Sequence, residues 1–562
     1  MAQIIECVPN FSEGQNSAVI QQITDEIQKV EGVRLLNVDP GKATNRTVVT
    51  FVGSPEAVVE AAFQAIKRAG ELIDMSRHTG EHPRMGATDV CPLIPIAGIS
   101  MEETAAWAQR LAARVGNELQ IPVYLYEAAQ PDKRRSNLSV IRAGEYEGFF
   151  KKIRQPEWAP DYGPAEFDAR RGGTVIGARD FLVAYNVNLN TTSTRRANSI
   201  AFDVREAGRV SREGNPVTGK IVTDDQGKPV YIPGSLKAVK AIGWYIEEYG
   251  MAQISMNLTN IHTTPVHVAF DEVCKKATER GIRVTGSELV GLIPLQAMLD
   301  AGKYFLKKQQ RSTGVSEREL IRIAVLSMGL DELGPFNPEE RIIEYLLRDK
   351  ADHKLVSLSL TDFADETASE SPAPGGGSIA AYVAALGAAL ATMVANLSSH
   401  KKGWDDRWEE FSEWAEKGQE YKNELTRLVD ADTRAFNGIM AAFGLPKTTE
   451  EEKTLRTRAI QEATKVAIEI PLRVMEIAYD SLEVIRAMAE MGNPNSVSDA
   501  GVGALCARAG VMGAFMNVRI NAAGYADKSF AAAMIAKGKE IEDKTIEAET
   551  RILKIVNEKI GS

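Results

Sequence analysis

Apolar and polar positions follow two different rules along this chain. Up to about residue 290 the apolar runs are short and are punctuated by Gly and Pro, with helical stretches between them. Residues 4–8, 33–39, 46–51, 90–96 and 123–127 read as strands. Residues 17–30, 55–73 and 101–119 carry apolar side chains at helical spacing. Ser54 and Pro55 supply a cap and a first-turn proline for the second of these helices. Strand and helix alternate within short spans, the signature of an α/β unit on a mixed sheet. A similar order follows: a strand over 177–190, a helix over 236–249, a strand over 252–258, a helix over 265–280 and a strand over 282–289. The pattern predicts two related α/β halves, 1–180 and 181–328, with a cleft between them as the default ligand site.

The character changes near Gly329. Gly334-Pro335-Phe336-Asn337-Pro338 reads as the core of a linker over 329–338, and Pro338 opens a helix over 339–347. Beyond residue 361 almost nothing reads as strand. Long apolar-periodic segments at 379–398, 404–442, 450–486, 499–523 and 530–558 predict an all-α bundle. The fold class is therefore α/β plus all-α, with the helical domain over 339–562. Residues 375–397 have hardly any polar side chain. Their Ala and Gly content and the preceding Pro-Ala-Pro point to a buried bundle helix rather than a membrane span.

Composition narrows the function. Hydrophobic content of 44% and charged content of 25% are ordinary globular values. A formal net charge of -10 argues against a general nucleic-acid surface. Cys7, Cys91, Cys274 and Cys506 are scattered without metal-ligand spacing and suit a reducing cytoplasm.

The chemistry-bearing residues are few. His82, one of 6 histidines, lies in Thr79-Gly-Glu-His-Pro-Arg-Met-Gly-Ala-Thr-Asp89, a loop broken by Gly and Pro at the edge of a sheet. That is a suitable place for an imidazole to move a proton near neutrality. Arg84 could grip a carboxylate bidentately or lie on the surface. Asp39 ends a strand beside Pro40-Gly41, where it either faces a cleft or initiates a turn. Residues 131–173 form a long irregular stretch. Within it Gly163, Pro164, Ala165, Glu166, Phe167, Asp168, Ala169, Arg170, Arg171 and Gly172 offer backbone donors and two cations to a planar anion.

The bundle has no histidine after His400, so proton transfer there falls to carboxylates, Lys, Tyr or water. Leu425, Leu428, Val429, Phe436, Ile439, Met440 and Phe443 form one apolar stripe. Asp432 falls inside it and Asp430 off it. A carboxyl facing a bundle interior is desolvated and holds its proton to higher pH. Pro374 and Gly375, Gly376, Gly377 and Ser378 open a helix whose free amides could hold an anion. A later small-residue helix carries Arg508, Asn517 and Asn521, which read a ligand or bridge helices.

Six stretches in order resemble the formiminotransferase-cyclodeaminase family: residues 7–14 (Cys-Val-Pro-Asn-Phe-Ser-Glu-Gly), 82–89, 177–186, 342–346 (Ile-Ile-Glu-Tyr-Leu), 374–378 and 429–436 (Val-Asp-Ala-Asp-Thr-Arg-Ala-Phe). The resemblance covers essentially the whole chain. It implies transfer of the formimino group from N-formimino-L-glutamate to tetrahydrofolate by the α/β halves. It further implies closure of the product to 5,10-methenyltetrahydrofolate with loss of ammonia in the bundle. It places the transferase histidine on His82, the folate loop on 163–172 and the cyclodeaminase acid on Asp432, with Asp430 as the other placement. It implies a polyglutamylated folate co-substrate, no metal, a cytoplasmic location and a homo-oligomer built on dimers, up to a ring-like octamer. Arg170, Arg171 and Arg508 are the expected partners of an anionic glutamate tail. The alternatives are a transferase with an inactive or cyclohydrolase-like bundle, and a non-catalytic folate-binding scaffold.

Overall fold

The computed structural model describes residues 3–42, 44–80, 83–214, 218–347 and 355–561. The first half contains β1 (Ile4–Cys7), β2 (Asn10–Phe11), α1 (Ser17–Gln28), β3 (Val33–Gly41), β4 (Arg46–Gly53), α2 (Pro55–Leu72), β5 (Thr88–Ala97), α3 (Met101–Glu118), β6 (Val123–Glu127), α4 (Leu138–Ile141), α5 (Glu145–Lys152) and β7 (Thr174–Ala178). The second half contains β8 (Val183–Leu189), α6 (Thr194–Val204), β9 (Arg209–Val210), β10 (Tyr231–Ile232), β11 (Val239–Ile246), β12 (Met251–Leu258), α7 (Val266–Thr278) and β13 (Val284–Val290).

The kinship of the halves is topological. In the first, a βαββαβ run gives the spatial order β3-β4-β1-β5, antiparallel at each pairing; in the second it gives β11-β12-β8-β13, also antiparallel. Both are the split βαβ arrangement. The first half then adds β7 and β6 as parallel strands and becomes mixed. In both halves one sheet face packs on helices. Ile5, Cys7, Phe51, Cys91 and Leu93 do so in the first, joined by α2 and α3 residues.

Two expected elements differ. The single strand over 177–190 is two strands, β7 and β8, in different sheets. The expected helix over 236–249 is strand β11: Val239, Ala241 and Gly243 are buried, whereas Lys240 and Ile242 are exposed. That period-2 alternation outweighs the helical spacing of the same apolar residues.

After β13 come α8 (Leu295–Lys308), α9 (Glu317–Met328), α10 (Pro338–Arg341), α11 (Ile343–Leu347), α12 (Leu360–Ala368), α13 (Gly376–Ser399), α14 (Trp408–Phe443), α15 (Glu450–Met491), α16 (Val497–Ala523) and α17 (Lys528–Ile560). Two compact units result: Met1–Ala297 with Met328–Leu346, and Met298–Ser327 with Leu347–Ser562. The expected break at residue 328 is thus displaced in both directions. Lys303 Nζ reaches Glu416 Oε2 (2.7 Å) and Thr313 N reaches Ser412 Oγ (2.9 Å), so this segment belongs with the helices. The expected linker instead returns to the α/β unit. Gly329 O accepts from Ser287 N (2.9 Å), and Glu332 Oε2 accepts from Asn188 Nδ2 (2.6 Å). The expected helix over 339–347 is broken at Ile342, which bridges to Ile293.

In the helical unit α13 packs against α14 and α16, and α15 against α14, α16 and α17. α13 and α16 are long and apolar enough to cross a membrane, but here they are bundle helices with half or more of the apolar window buried. Ala380, Ala384 and Ala388 face the core, and small residues let the backbones approach closely: a Cβ on Gly510 would stand 2.9 Å from Ala380 O.

Two candidate active sites

In the α/β unit three separated segments are drawn together by glycines. Gly86 and Gly172 form a backbone bridge; a Cβ on Gly86 would stand 2.6 Å from Arg171 O, and one on Gly172 2.7 Å from Gly86 Cα. Ala87 N donates to Arg171 O (2.8 Å), Gly173 N to Met85 O (3.1 Å) and Ser12 Oγ to Gly86 O (2.8 Å). The 83–88 loop, the end of the 163–172 loop and the turn after β2 therefore meet. Gly14 and Asn45 close the other side: Gly14 N donates to Asn45 Oδ1 (3.0 Å), and Asn45 Nδ2 to Thr79 O (2.8 Å). His82 lies outside the described residues.

The flanks of that histidine are held by buried charges. Asp89 is fully buried; its Oδ1 accepts from Met85 N (3.0 Å), and it is paired with Arg142. Arg84 does not present a free fork to a substrate, contrary to one expectation, and it is not on the surface either. It is buried, donates to Glu147 through both terminal nitrogens (3.1 and 2.7 Å) and reaches His78 O and His78 Nδ1 (both 3.3 Å). Its role is to hold the loop.

The 163–172 loop also departs from expectation in its cations. Arg171 donates to Leu119 O (2.7 Å) and Arg170 to Glu71 O (2.9 Å), so both cap the ends of α3 and α2. Asp168 Oδ1 accepts from both their amides (2.9 and 3.1 Å). Phe167 packs among Tyr146, Phe149 and Phe150 with ring centroids 5.5–6.2 Å apart. The helix-end carbonyls attract these guanidiniums for the same reason an anion would. Gly163, Pro164, Ala165, Glu166 and Ala169 complete a loop whose fold is set from within.

A polar seam runs between the two halves. Asp39 on β3 has its pKa raised by burial, with Arg341 and Arg46 opposing and Glu288 adding to the rise. Burial takes Arg46 down to about 10. Glu288 accepts from Asn186 Nδ2 (3.0 Å), Gln253 Nε2 (3.2 Å) and Tyr249 Oη (3.3 Å). Glu6 on β1 lies in the same seam, with Arg179 and Glu344 acting on it. Sequence inspection did not single out Glu6, Glu288, Arg341 or the buried amides. A signal was available in β8, where Asn186 and Asn188 alternate with Tyr185, Val187 and Leu189. That is the pattern of a strand with a second, polar interior face.

In the helical unit Asp432 meets the start of α13. Its Oδ2 accepts from Ser378 Oγ (2.9 Å), and Ser378 Oγ is 3.2 Å from Thr433 Oγ1. A Cβ on Gly377 would stand 2.6 Å from Asp432 Cγ, so only glycine admits this approach. Burial raises the Asp432 pKa, and the Ser378 hydroxyl and amide pull it partly back. Gly375 is the N-cap of α13 and makes no side-chain cap, and Asn517 on α16 lies beside Gly376. A half-buried acid thus faces a helix N-terminus with open amides.

The expected stripe on α14 is only partly correct. Asp430, expected off it, is the more buried acid; its Oδ1 accepts from Leu355 N (2.9 Å). Phe436, Met440 and Phe443 are exposed, and Ala431, Ala435 and Ala442 take the inward positions. Arg508 pairs with buried Glu549 (3.1 Å), and Asn521 Nδ2 bridges to Ala467 O (2.7 Å). A separate hollow of about 360 Å³, lined by Ala389, Thr392, Asn396, His400, Gln419 and Lys422, starts about 17 Å beyond Ser378 along α13 and does not include Asp432.

Comparison with known proteins divides the chain near residue 350, so that 298–327, which packs with the helices, falls within a transferase match. Residues 4–179 match the formiminotransferase domain, N-terminal subdomain; residues 184–348 match the formiminotransferase domain; residues 359–540 match formiminotransferase-cyclodeaminase. The chain is 45% identical over 531 residues to the formimidoyltransferase-cyclodeaminase of Mus musculus, covering 94% of each chain. It is 40% identical over 307 residues to the glutamate formimidoyltransferase of Streptococcus pyogenes serotype M1, covering 55% of this chain and 94% of the other. It is 39% identical over 206 residues to the methenyltetrahydrofolate cyclohydrolase of Methylorubrum extorquens, covering 36% of this chain and 98% of the other. With these matches in sequential order and a relative aligned over 94% of its length, the chain belongs to the formimidoyltransferase-cyclodeaminase family.

Proposed function

We propose that the chain is a bifunctional folate enzyme of histidine breakdown. The α/β unit moves the formimino group from N-formimino-L-glutamate to N5 of tetrahydrofolate and releases L-glutamate. The helical unit closes 5-formiminotetrahydrofolate to 5,10-methenyltetrahydrofolate and releases ammonia. The observation that carries this reading is the pairing of both family matches, in order, with a half-buried carboxyl, Asp432, held at the N-terminus of α13.

In the first reaction N5 attacks the amidine carbon and loses its proton, and the glutamate nitrogen gains one as the C–N bond breaks. We assign that exchange to His82; the residues that follow it, 83–89, are held by Arg84, Asp89 and the Gly86–Gly172 contact. In the second, N10 attacks the same carbon and loses its proton, and the departing nitrogen gains one and leaves as ammonia. Asp432 serves both transfers: its raised pKa lets the protonated form persist toward neutrality, and Ser378 orients the carboxyl. Gly375 to Gly377 present amides where an anionic group of the folate can bind.

The finer points belong to the same proposal. The folate is polyglutamylated and the chain is cytoplasmic, in keeping with its scattered cysteines. It works as a homo-oligomer built on dimers, because α13 exposes Leu386, Met393 and Leu397 while α16 exposes Val502, Leu505, Met516 and Ile520. Apolar faces of this kind mark association surfaces. A second reading, favoured by the cyclohydrolase relative, makes the bundle a hydrolase of 5,10-methenyltetrahydrofolate. Supplying the full chain with chemically prepared 5-formiminotetrahydrofolate decides between them. Stoichiometric ammonia and methenyl product support the cyclodeaminase; no ammonia, with methenyltetrahydrofolate hydrolysed instead, overturns it.

A further inference from the structure

β1 places Ile5 and Cys7 in the core beneath the helices, so strand alternation turns Glu6 to the opposite face, into the seam. Glu6 is 2% exposed. Among the described residues its carboxyl accepts no hydrogen bond and forms no salt bridge; Arg179 and Glu344 act on it only through space. Burial raises its pKa to about 7. Keeping an unpartnered carboxyl inside a fold is costly. Such groups persist where a ligand supplies the missing partners.

The neighbours define that ligand. Glu344 is already engaged, its Oε2 accepting from Leu295 N (2.7 Å). Arg179 follows β7, donates to Asp180 O (2.8 Å) and hydrogen-bonds Tyr126 on β6, with guanidinium donors to spare. Val52 and Ile94, opposite Glu6 on β4 and β5, are apolar. The site thus offers two adjacent acceptors beside a donor. Its complement is an edge with two neighbouring N–H donors next to a carbonyl, which is the 2-amino, N3–H and O4 edge of a reduced pterin.

We propose that Glu6, with Arg179 beside it, is the subsite that reads the pterin edge of the folate in the α/β unit. The carboxylate accepts from the 2-amino group and N3–H, and the guanidinium donates to O4. The position fits the sheet register. Glu6 opposes Val52 and Ile94, whereas Asn10 opposes Val48 and Val90, where the 83–88 loop enters the sheet. Four strand residues separate the two rows, about 13 Å. A pterin with one edge on Glu6 would lie along this face with its second ring, which carries N5, toward the loop. The inference rests on the transferase proposal, because it places that reaction's folate.

The test uses the full chain as Glu6→Gln and Glu6→Asp, with tetrahydrofolate and an analogue lacking the 2-amino group. Glu6→Gln is expected to raise the KM for tetrahydrofolate about 10- to 100-fold, leaving the KM for N-formimino-L-glutamate and ammonia release from 5-formiminotetrahydrofolate unchanged. Glu6→Asp should recover part of the loss. Wild type should discriminate against the analogue at least about tenfold, and Glu6→Gln should not. The wild-type KM for tetrahydrofolate should rise as pH falls below about 7, and that dependence should vanish in Glu6→Gln. Equal discrimination by wild type and variant, or a loss confined to kcat, overturns the assignment. Equilibrium binding of both folates without formiminoglutamate reads the same discrimination directly. A wild type that binds folate but transfers nothing would therefore sink the transferase proposal while this one is still decided.

Discussion

Replacing Glu6 by Gln should stabilise the ligand-free α/β unit, and by an amount that depends on pH. The carboxyl moves from 4.5 in the unfolded chain to about 7 in the folded one because burial disfavours its charge. Below pH 4.5 both states hold the proton, and the residue imposes no ionisation cost. As pH rises from there to about 7, unfolding releases a proton and stability falls. Above about 7 the loss is constant, about 3 kcal/mol at about 1.4 kcal/mol per pH unit. At pH 5 the same relation leaves a cost of about 1 kcal/mol. Glu6→Gln removes that cost, so its gain over wild type should grow by about 2 kcal/mol between pH 5 and pH 8. Denaturant unfolding of the α/β transition at both pH values, with the bundle transition as internal reference, measures it. A variant–wild-type difference that is the same at both pH values would show that Glu6 does not titrate as the structure requires.

Gly377→Ala drives a methyl group into the Asp432 carboxyl; ammonia release should fall about 100-fold or more while transferase activity persists. Ser378→Ala removes a hydrogen bond that lowers the Asp432 pKa, so the ionisation seen in the cyclodeaminase pH–rate profile should move to higher pH. The same change should deepen the stability loss that accompanies Asp432 ionisation, since its raised pKa costs stability as pH rises through it. Arg84→Ala should destabilise the α/β unit by about 1–3 kcal/mol and slow transfer, and Arg84→Lys should not restore either, because an ammonium cannot reproduce the paired bonds to Glu147 and the contacts to His78.

The sequence made the helical unit legible because its helices are long; the five expected segments fall within a few residues of α13 to α17. Five strands of the first sheet, β1 and β3 to β6, were equally clear, since Gly, Pro or Ser bounds them; β2 was hidden in a turn and β7 merged with β8. β11 was not, because the apolar residues of 236–249 satisfy both periods, and only burial against neighbouring strands selects one. Residues 298–327 carry no local mark of the unit they join, which is decided by hydrogen bonds from Thr313 and Lys303 to residues about 100 positions later. Asp432 was found because a carboxylate in an apolar helix stripe is conspicuous. Its contact with Gly377 depends on a distant chain segment. Glu6 looked like an ordinary charge in a short strand; its meaning lies in what does not touch it. The arginines of the 163–172 loop illustrate the reverse, cations that look available in sequence and are engaged by helix-end carbonyls in the fold.

The most direct test of two independent reactions in one chain is to follow N-formimino-L-glutamate and tetrahydrofolate to methenyl product and ammonia with wild type, His82→Ala and Asp432→Asn. Wild type should form both products. His82→Ala should lose transfer by about 10²–10⁴-fold yet still convert supplied 5-formiminotetrahydrofolate. Asp432→Asn should release glutamate and accumulate 5-formiminotetrahydrofolate without ammonia. Ammonia release by Asp432→Asn at the wild-type rate, or loss of both activities in either folded variant, would contradict the assignment of one proton-transfer group to each unit.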